Sequence, residues 1–195
     1  MYFFTSDIHL GQAINAKADG RPFKNDKQFE RFLIKIWNKQ AKKDDTIYVV
    51  GDLFDCHSKT DPYFLKKLWF VKKIKAKIVL IMGNNEEKII NNFYNGNFDE
   101  FKKVCLQAGI KEFEKDYFVH ICGQNFYLTH KPKNHHNEML TLFGHSHRAM
   151  GVYKSFGFNI GCDLNHFRLF SEQDISILLE GKKDYWDWDE NLKLI

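Results

Sequence analysis

Cysteine and proline are scarce in this chain of 195 residues, with four Cys and three Pro. Cys56, Cys105, Cys122 and Cys162 lie far apart and form no Cys-x-x-Cys pair. That excludes a zinc finger or ribbon and predicts reduced, mostly buried thiols in a cytoplasmic protein. The few Pro and the lack of repeats or low-complexity segments leave no long tether, so one domain over residues 1–195 is expected. No apolar run approaches the ~18 residues of a membrane span. The start, Met1 to Asp7, has no basic stretch leading into a long apolar one, so neither a secretory signal nor a membrane partner is expected. Strong charge is lacking too: 29 Lys and Arg against 25 Asp and Glu give +4. That is too little for the footprint of a dedicated nucleic-acid binder, while a mild positive field favours phosphorylated ligands.

What the chain has instead is histidine, nine residues against the four Cys, in a sequence that is 44% hydrophobic and 28% charged. Such a composition folds, and many His with few thiols point to a metal site of oxygen and imidazole ligands. Short apolar runs at 2–5, 46–50 and 77–82 read as buried strands. Between them, residues 26–42 and 61–75 place large apolar side chains at helical spacing, with Asp26 as N-cap of the first and Pro62 in the first turn of the second. The first half is therefore βαβ units of a mostly parallel sheet. In the second half, a helix at 98–108 precedes strands at 116–121 and 125–129, joined as a hairpin through Cys122-Gly123-Gln124. Further short runs at 139–143, 150–154, 157–161 and 174–179 make this half richer in strands. Residues 181–195 form a charged, aromatic tail expected to pack back onto the domain.

Chemistry-bearing residues follow the strands: Asp7 and His9 after 2–5, Gly51-Asp52 after 46–50, Gly83-Asn84-Asn85-Glu86 after 77–82, His130 after 125–129, and Gly144-His145-Ser146-His147 after 139–143. Ligands bind beyond the carboxyl ends of parallel strands, and five such ends share one crevice only if the strands point the same way. In Asp7-x-His9 and His145-x-His147, an extended backbone would turn both side chains to one side. Two Asp, one Asn and four His are too many donors for one ion. They suit two ions about 3.5–4 Å apart. The donor types suit Mn²⁺ first, with Fe, Zn²⁺ or Ni²⁺ as alternatives.

These blocks, in this order, resemble the calcineurin-like metallophosphoesterase superfamily. The segment Asn159 to Asp163, with Arg168 after it, looks like the closing region of small bacterial members. The resemblance implies an α/β fold, a two-sheet β-sandwich flanked by helices, with a dinuclear centre at one edge. It implies that Asp7, His9 and His147 hold one metal, that Asn84, His130 and His145 hold the other, and that Asp52 bridges them. A metal-bridging hydroxide would attack phosphorus in a nucleotide or other small phosphorylated metabolite. A phosphodiester ranks above a phosphomonoester, and the protein would be a monomer or homodimer. A nuclease acting on DNA or RNA and a metal-binding scaffold with weak or no catalysis are the alternatives.

One position departs from the family. The usual block is Gly-Asn-His followed by Asp or Glu, and its His contacts phosphate and protonates the leaving oxygen. Here Asn85 stands in that place, and an amide is no acid at neutral pH. Either Asn85 contacts phosphate and the leaving group needs little help, or another imidazole substitutes, His57 before His135 and His136. Otherwise the position was exchanged to trap substrate, or the protein only binds. Lys131, Lys133 and Arg148 stand near ligand positions and offer charge for phosphate. Phe156, Phe158, Phe167 and Phe170 are candidates either for stacking a base or for the core.

Overall fold

The structure, a computed structural model, describes residues 1–12, 20–149, 151–153 and 155–184. In chain order the elements are β1 (Tyr2–Thr5), α1 (Asp26–Gln40), β2 (Thr46–Val50), a 3₁₀ turn (Tyr63–Lys67) running into α2 (Leu68–Val71), β3 (Lys77–Ile81), α3 (Asn84–Phe93), α4 (Phe98–Ala108), β4 (Glu112–Glu114), β5 (Tyr117–Ile121), β6 (Gln124–Leu128), β7 (Leu140–Phe143), β8 (Val152–Tyr153), β9 (Gly157–Asn159), β10 (Phe170–Ser171) and α5 (Glu172–Asp184).

Because β1, β2 and β3 are apolar on both faces, they lie side by side at the centre of one sheet, in parallel, with Tyr2 opposite Thr46 and Thr46 opposite Lys77. The full order is β10-β1-β2-β3-β4. Alternation then divides their side chains. Phe3, Ile47, Val49, Ile78 and Leu80 pack towards α1–α4, while Phe4, Tyr48, Val50, Val79 and Ile81 pack against the second sheet. That sheet runs β5-β6-β7-β9-β8 and contributes Val119, Ile121, Phe126, Leu128, Leu142 and Phe158 to the shared core. The architecture is the expected α/β arrangement of two sheets flanked by helices. Trp37 of α1 is fully buried with its indole N–H donated to the Phe167 carbonyl at 3.1 Å. Truncating such a side chain to Ala typically costs ~3–5 kcal/mol.

Several local expectations change. The run at 174–179 is not a strand but the middle of α5. Ser171 and Asp174 cap each other, with the Asp174 N–H donated to Ser171 Oγ and the Ser171 N–H to Asp174 Oδ2. Ile175, Leu178 and Leu179, at helical spacing, enter the core between the sheets. The helix expected at 61–75 is a 3₁₀ turn and a single α turn, because the chain must reverse into β3. Asn38 of α1 holds that reversal, accepting from the Lys75 N–H and donating to the Lys73 carbonyl. The first helix ends at Gln40, and Asn25 rather than Asp26 is its N-cap, accepting from the Gln28 N–H at 2.9 Å. Strands β4 and β10, too short for a periodic signal, were not expected. The hairpin forms as read, with Cys122 and Gly123 both at positive φ in its two-residue turn. Cys105 and Cys162 are buried, Cys56 is half-buried and Cys122 exposed. Of the expected tail, residues 185–195, with Tyr185, Trp186 and Trp188, lie outside the described residues.

Candidate metal centre

The carboxyl ends of β1, β2 and β3 lie at one edge of the first sheet, and those of β6 and β7, also parallel to each other, reach the same place from the second. A bridge between Ser6 and Gly161 joins the two sheets there. The loops after β1 and β2 run as a pair: the Asp7, His9 and Leu10 N–H groups donate to the carbonyls of Gly51, Asp52 and Leu53, and the Asp55 N–H returns to Leu10. The backbone here is not extended. Asp7, His9, Asp52, His145 and His147 all have φ between 45° and 71°. They are five of the nine non-glycine residues with positive φ among the described residues. Each such residue costs on the order of 1–3 kcal/mol, a strain that proteins concentrate at functional sites. The left-handed turns, not strand alternation, therefore aim the Asp-x-His and His-x-His pairs at one centre.

Two glycines permit the close approach. A Cβ on Gly51, which sits at φ +83°, would overlap the His130 ring, and a Cβ on Gly83 would overlap Asp52. In the resulting space the seven candidate ligands gather. Asp7, His9 and His147 present ligand atoms all within 4.8 Å of one another, and so do Asp7, Asp52 and His130. The rings of His9 and His147 stack at 5.0 Å between centroids, and those of His130 and His145 meet edge to face at 5.3 Å. Asn84 Oδ1 lies 3.0 Å from His130 Nε2 and 2.8 Å from His145 Nδ1. One oxygen of Asp52, Oδ2, faces both sides: it is 3.7 Å from His9 Nε2 and 3.5 Å from His130 Nε2.

Burial and charge act against each other here. Burial pushes Asp52 up, but His130 and His9 beside it outweigh that and hold the carboxyl at about 2. Burial also pulls His130 down, yet Asp52 and Asp7, with the Val50 carbonyl on its Nδ1 at 2.9 Å, raise it to about 9. Burial keeps His9 and His145 below the ordinary histidine value. The donor chemistry fits divalent cations, and one atom tests the fit. His9 Nε2 is buried with no hydrogen-bond partner among the described residues, a cost the protein bears unless a cation takes that lone pair.

The calcineurin-like phosphoesterase profile matches residues 2–190. The chain belongs to this family. The uncharacterized protein MJ1445 of Methanocaldococcus jannaschii is 32% identical over 97 residues, which are 48% of this chain and 53% of that protein. The chain thus spans about half the length of the curated relative it matches. The crystal structure of the Aquifex aeolicus protein of unknown function AQ665 superposes with a TM-score of 0.65 at 22% identity, over 91% of this chain and 98% of that one. It shares the fold. The Pseudomonas putida nuclease MPE gives a TM-score of 0.46 at 18% identity, over 75% of this chain and 61% of that one.

Around the candidate ligands stand residues to which the sequence alone gave no role. Glu86 is fully buried and accepts the N–H groups of Asp52, Gly83 and Phe54 at 2.8, 2.9 and 3.1 Å. It ties the end of β2 to the start of α3. Burial and the neighbouring Asp52 charge raise its carboxyl to about 7. Arg21 clasps Asp163 through Nε at 3.0 Å and Nη2 at 2.7 Å and donates to the Asp7 and Ile8 carbonyls, fixing the Asp7–His9 turn. Residues 142 apart in sequence carry no local signal of such a pair. Ser6 Oγ donates to Asp7 Oδ2 at 2.7 Å.

The candidates for Asn85's missing role separate clearly. Asn85 is turned inward: its N–H donates to Asp52 Oδ1 and its Nδ2 to Asp52 Oδ2, both at 2.8 Å, with His9 Nδ1 at 3.2 Å. His135 stacks on Phe156, and His136 meets Phe118 and Tyr127 on the outer side of the second sheet. His57 is exposed on the loop after β2, with Nδ1 2.8 Å from Asp55 Oδ2. Asn84 is the first residue of α3, and Gly83 is its N-cap, so Asn84 caps nothing. Phe158 and Phe167 are core, and Lys131 pairs with Glu87 at 3.3 Å.

Proposed function

We propose that this chain is a dinuclear metal-dependent hydrolase of phosphoric esters, working as one domain. Asp7, His9 and His147 would hold one ion, Asn84, His130 and His145 the other, and Asp52 would serve both. The observation that carries this reading is the position of Asp52 Oδ2, which faces one imidazole of each set within 3.7 Å. The absence of thiolate among the ligands favours Mn²⁺, with Fe, Zn²⁺ and Ni²⁺ also suited. Two such ions supply a hydroxide near neutral pH and neutralise phosphate oxygens. The protein's own groups hold that arrangement: Asn85 and Glu86 fix the Asp52 side chain and backbone, and Arg21 and Ser6 fix Asp7.

The substrate proposed is a nucleotide or other small phosphorylated molecule, a diester before a monoester. A diester brings one negative charge and a monoester nearly two, and near the ligands Lys131 is already paired with Glu87. Titration calorimetry with Mn²⁺ should give two ions per chain, and Asp52→Asn should remove at least one. The loaded protein should hydrolyse bis(p-nitrophenyl) phosphate. Measured metal binding without hydrolysis in Mn²⁺, Ni²⁺, Fe²⁺ or Zn²⁺ would leave the scaffold reading in its place. A panel of cyclic nucleotides, dinucleotides, phosphomonoesters, DNA and RNA ranks the substrates, and faster turnover of polymer would replace the small-molecule assignment with a nuclease.

A further inference from the structure

Hydrolysis of an ester with a poor leaving group needs a proton for the departing oxygen. The position where the family places that donor cannot give one here, because the Asn85 side chain is an amide, its Nδ2 held against Asp52 Oδ2 at 2.8 Å and His9 Nδ1 at 3.2 Å. Other imidazoles are spoken for. His9, His130, His145 and His147 belong to the ligand set, His120 pairs with Asn125, and His135 and His136 are held on the outer aromatic surface. The His166 side chain makes no hydrogen bond or ring contact among the described residues.

His57 differs from all of these. Its Nδ1 is 2.8 Å from Asp55 Oδ2, its Nε2 makes no hydrogen bond among the described residues, and its side chain is 43% exposed. Asp55 is 5% exposed, is anchored by its own N–H on the Leu10 carbonyl, and puts its other oxygen 3.9 Å from His9 Nδ1. A single carboxylate therefore separates His57 from a ligand of the metal centre. A buried carboxylate on Nδ1 fixes the tautomer and orients the ring, so that Nε2 is the nitrogen turned outward for proton transfer.

We infer that His57, positioned by Asp55, is the general acid of this site, in the place left by Asn85. This rests on the hydrolase reading above. In the step, the hydroxide oxygen–phosphorus bond forms and the phosphorus–leaving oxygen bond breaks, its electron pair going to the leaving oxygen. That oxygen takes the proton of His57 Nε2 and departs as an alcohol, and the neutral imidazole regains a proton from water. The leaving group therefore departs on the His9 side of the centre. Beside Asp55, the groups that face His57 are Tyr63, with ring centroids 5.7 Å apart, and through that ring the Lys66 and Lys67 ammonium groups.

The test compares two methyl phosphodiesters, one with p-nitrophenoxide and one with an alkoxide as leaving group, in Mn²⁺. His57→Ala should lower kcat for the alkyl ester about 100-fold or more and for the nitrophenyl ester under tenfold, within the 10²–10⁴ range of general acid catalysis. Asp55→Asn should give a smaller loss with the same leaving-group bias. In the metal-free protein, nitrogen NMR should show the proton of neutral His57 on Nδ1, and Asp55→Asn should redistribute it. Equal losses on both esters, or none, overturn the assignment and leave the hydrolase reading standing. So does an unchanged His57 spectrum in Asp55→Asn. No hydrolysis of either ester by the unaltered protein overturns both.

Discussion

Removing Glu86 measures how the metal edge is held together. Its carboxylate is fully buried and accepts three backbone N–H groups from two loops, two on Oε2 and one on Oε1. Glu86→Ala leaves all three donors without a partner and opens a small cavity. At ~1–3 kcal/mol for each unsatisfied buried donor, reduced by local relaxation, the loss should be about 4 kcal/mol. Glu86→Gln keeps an oxygen for the Asp52 and Gly83 N–H groups but sets an amide N–H against that of Phe54, so one bond is lost, at about 2 kcal/mol. For a domain of this size those losses correspond to melting temperatures lower by roughly 8–16 °C and 4–8 °C. Thermal unfolding followed by circular dichroism reads both variants on metal-free protein. If Ala and Gln cost the same, or if Ala costs under about 1 kcal/mol, the three hydrogen bonds do not hold the edge as argued. Because the Asp52 N–H is one of the three, Mn²⁺ affinity should fall in the same order, Ala below Gln below the unaltered protein.

Further outcomes concern acid, metal and the departed histidine. Burial raises Asp163, but His147 and Arg21 outweigh it and hold the carboxyl at about 2, below its unfolded value of 3.8. Its contribution is therefore present above about pH 4 and lost as pH falls towards 2, so Asp163→Asn should flatten the acid limb of stability in that window. A cation must displace the proton that Asp52 and Asp7 keep on His130, whose value is about 9. Affinity at that site should rise by up to about tenfold per pH unit between pH 6 and 8, measured by calorimetry in Mn²⁺. Asn85→His should raise the rate on esters with poor leaving groups, and should do so most in a His57→Ala background. A rate unchanged in both backgrounds would show that no acid acts from that position.

The sequence alone determined the order of the chemistry and the class of fold. Apolar β-branched runs at 46–50 and 77–82 have one stable place, the middle of a parallel sheet buried on both faces, and the polar residues after them must then appear at its carboxyl edge. Regular periodicity is a local property, which is why α1 and α4 and the Cys122-Gly123 hairpin were legible from neighbours a few residues away. Where local pattern misled, a longer constraint had decided. Residues 174–179 became a helix because their apolar side had to close the end of the sandwich, and residues 61–75 could not stay helical while turning back into β3. The seven ligand candidates were readable as a set, but not how they are aimed, since positive φ at Asp7, His9 and Asp52 is imposed by the loops they share. Arg21 with Asp163, Glu86 beneath Asp52, and Asp55 between His9 and His57 were decided only by the tertiary structure. Hydrogen bonds act over ~3 Å in space, whatever the separation along the chain, and only the folded backbone brings those atoms within reach.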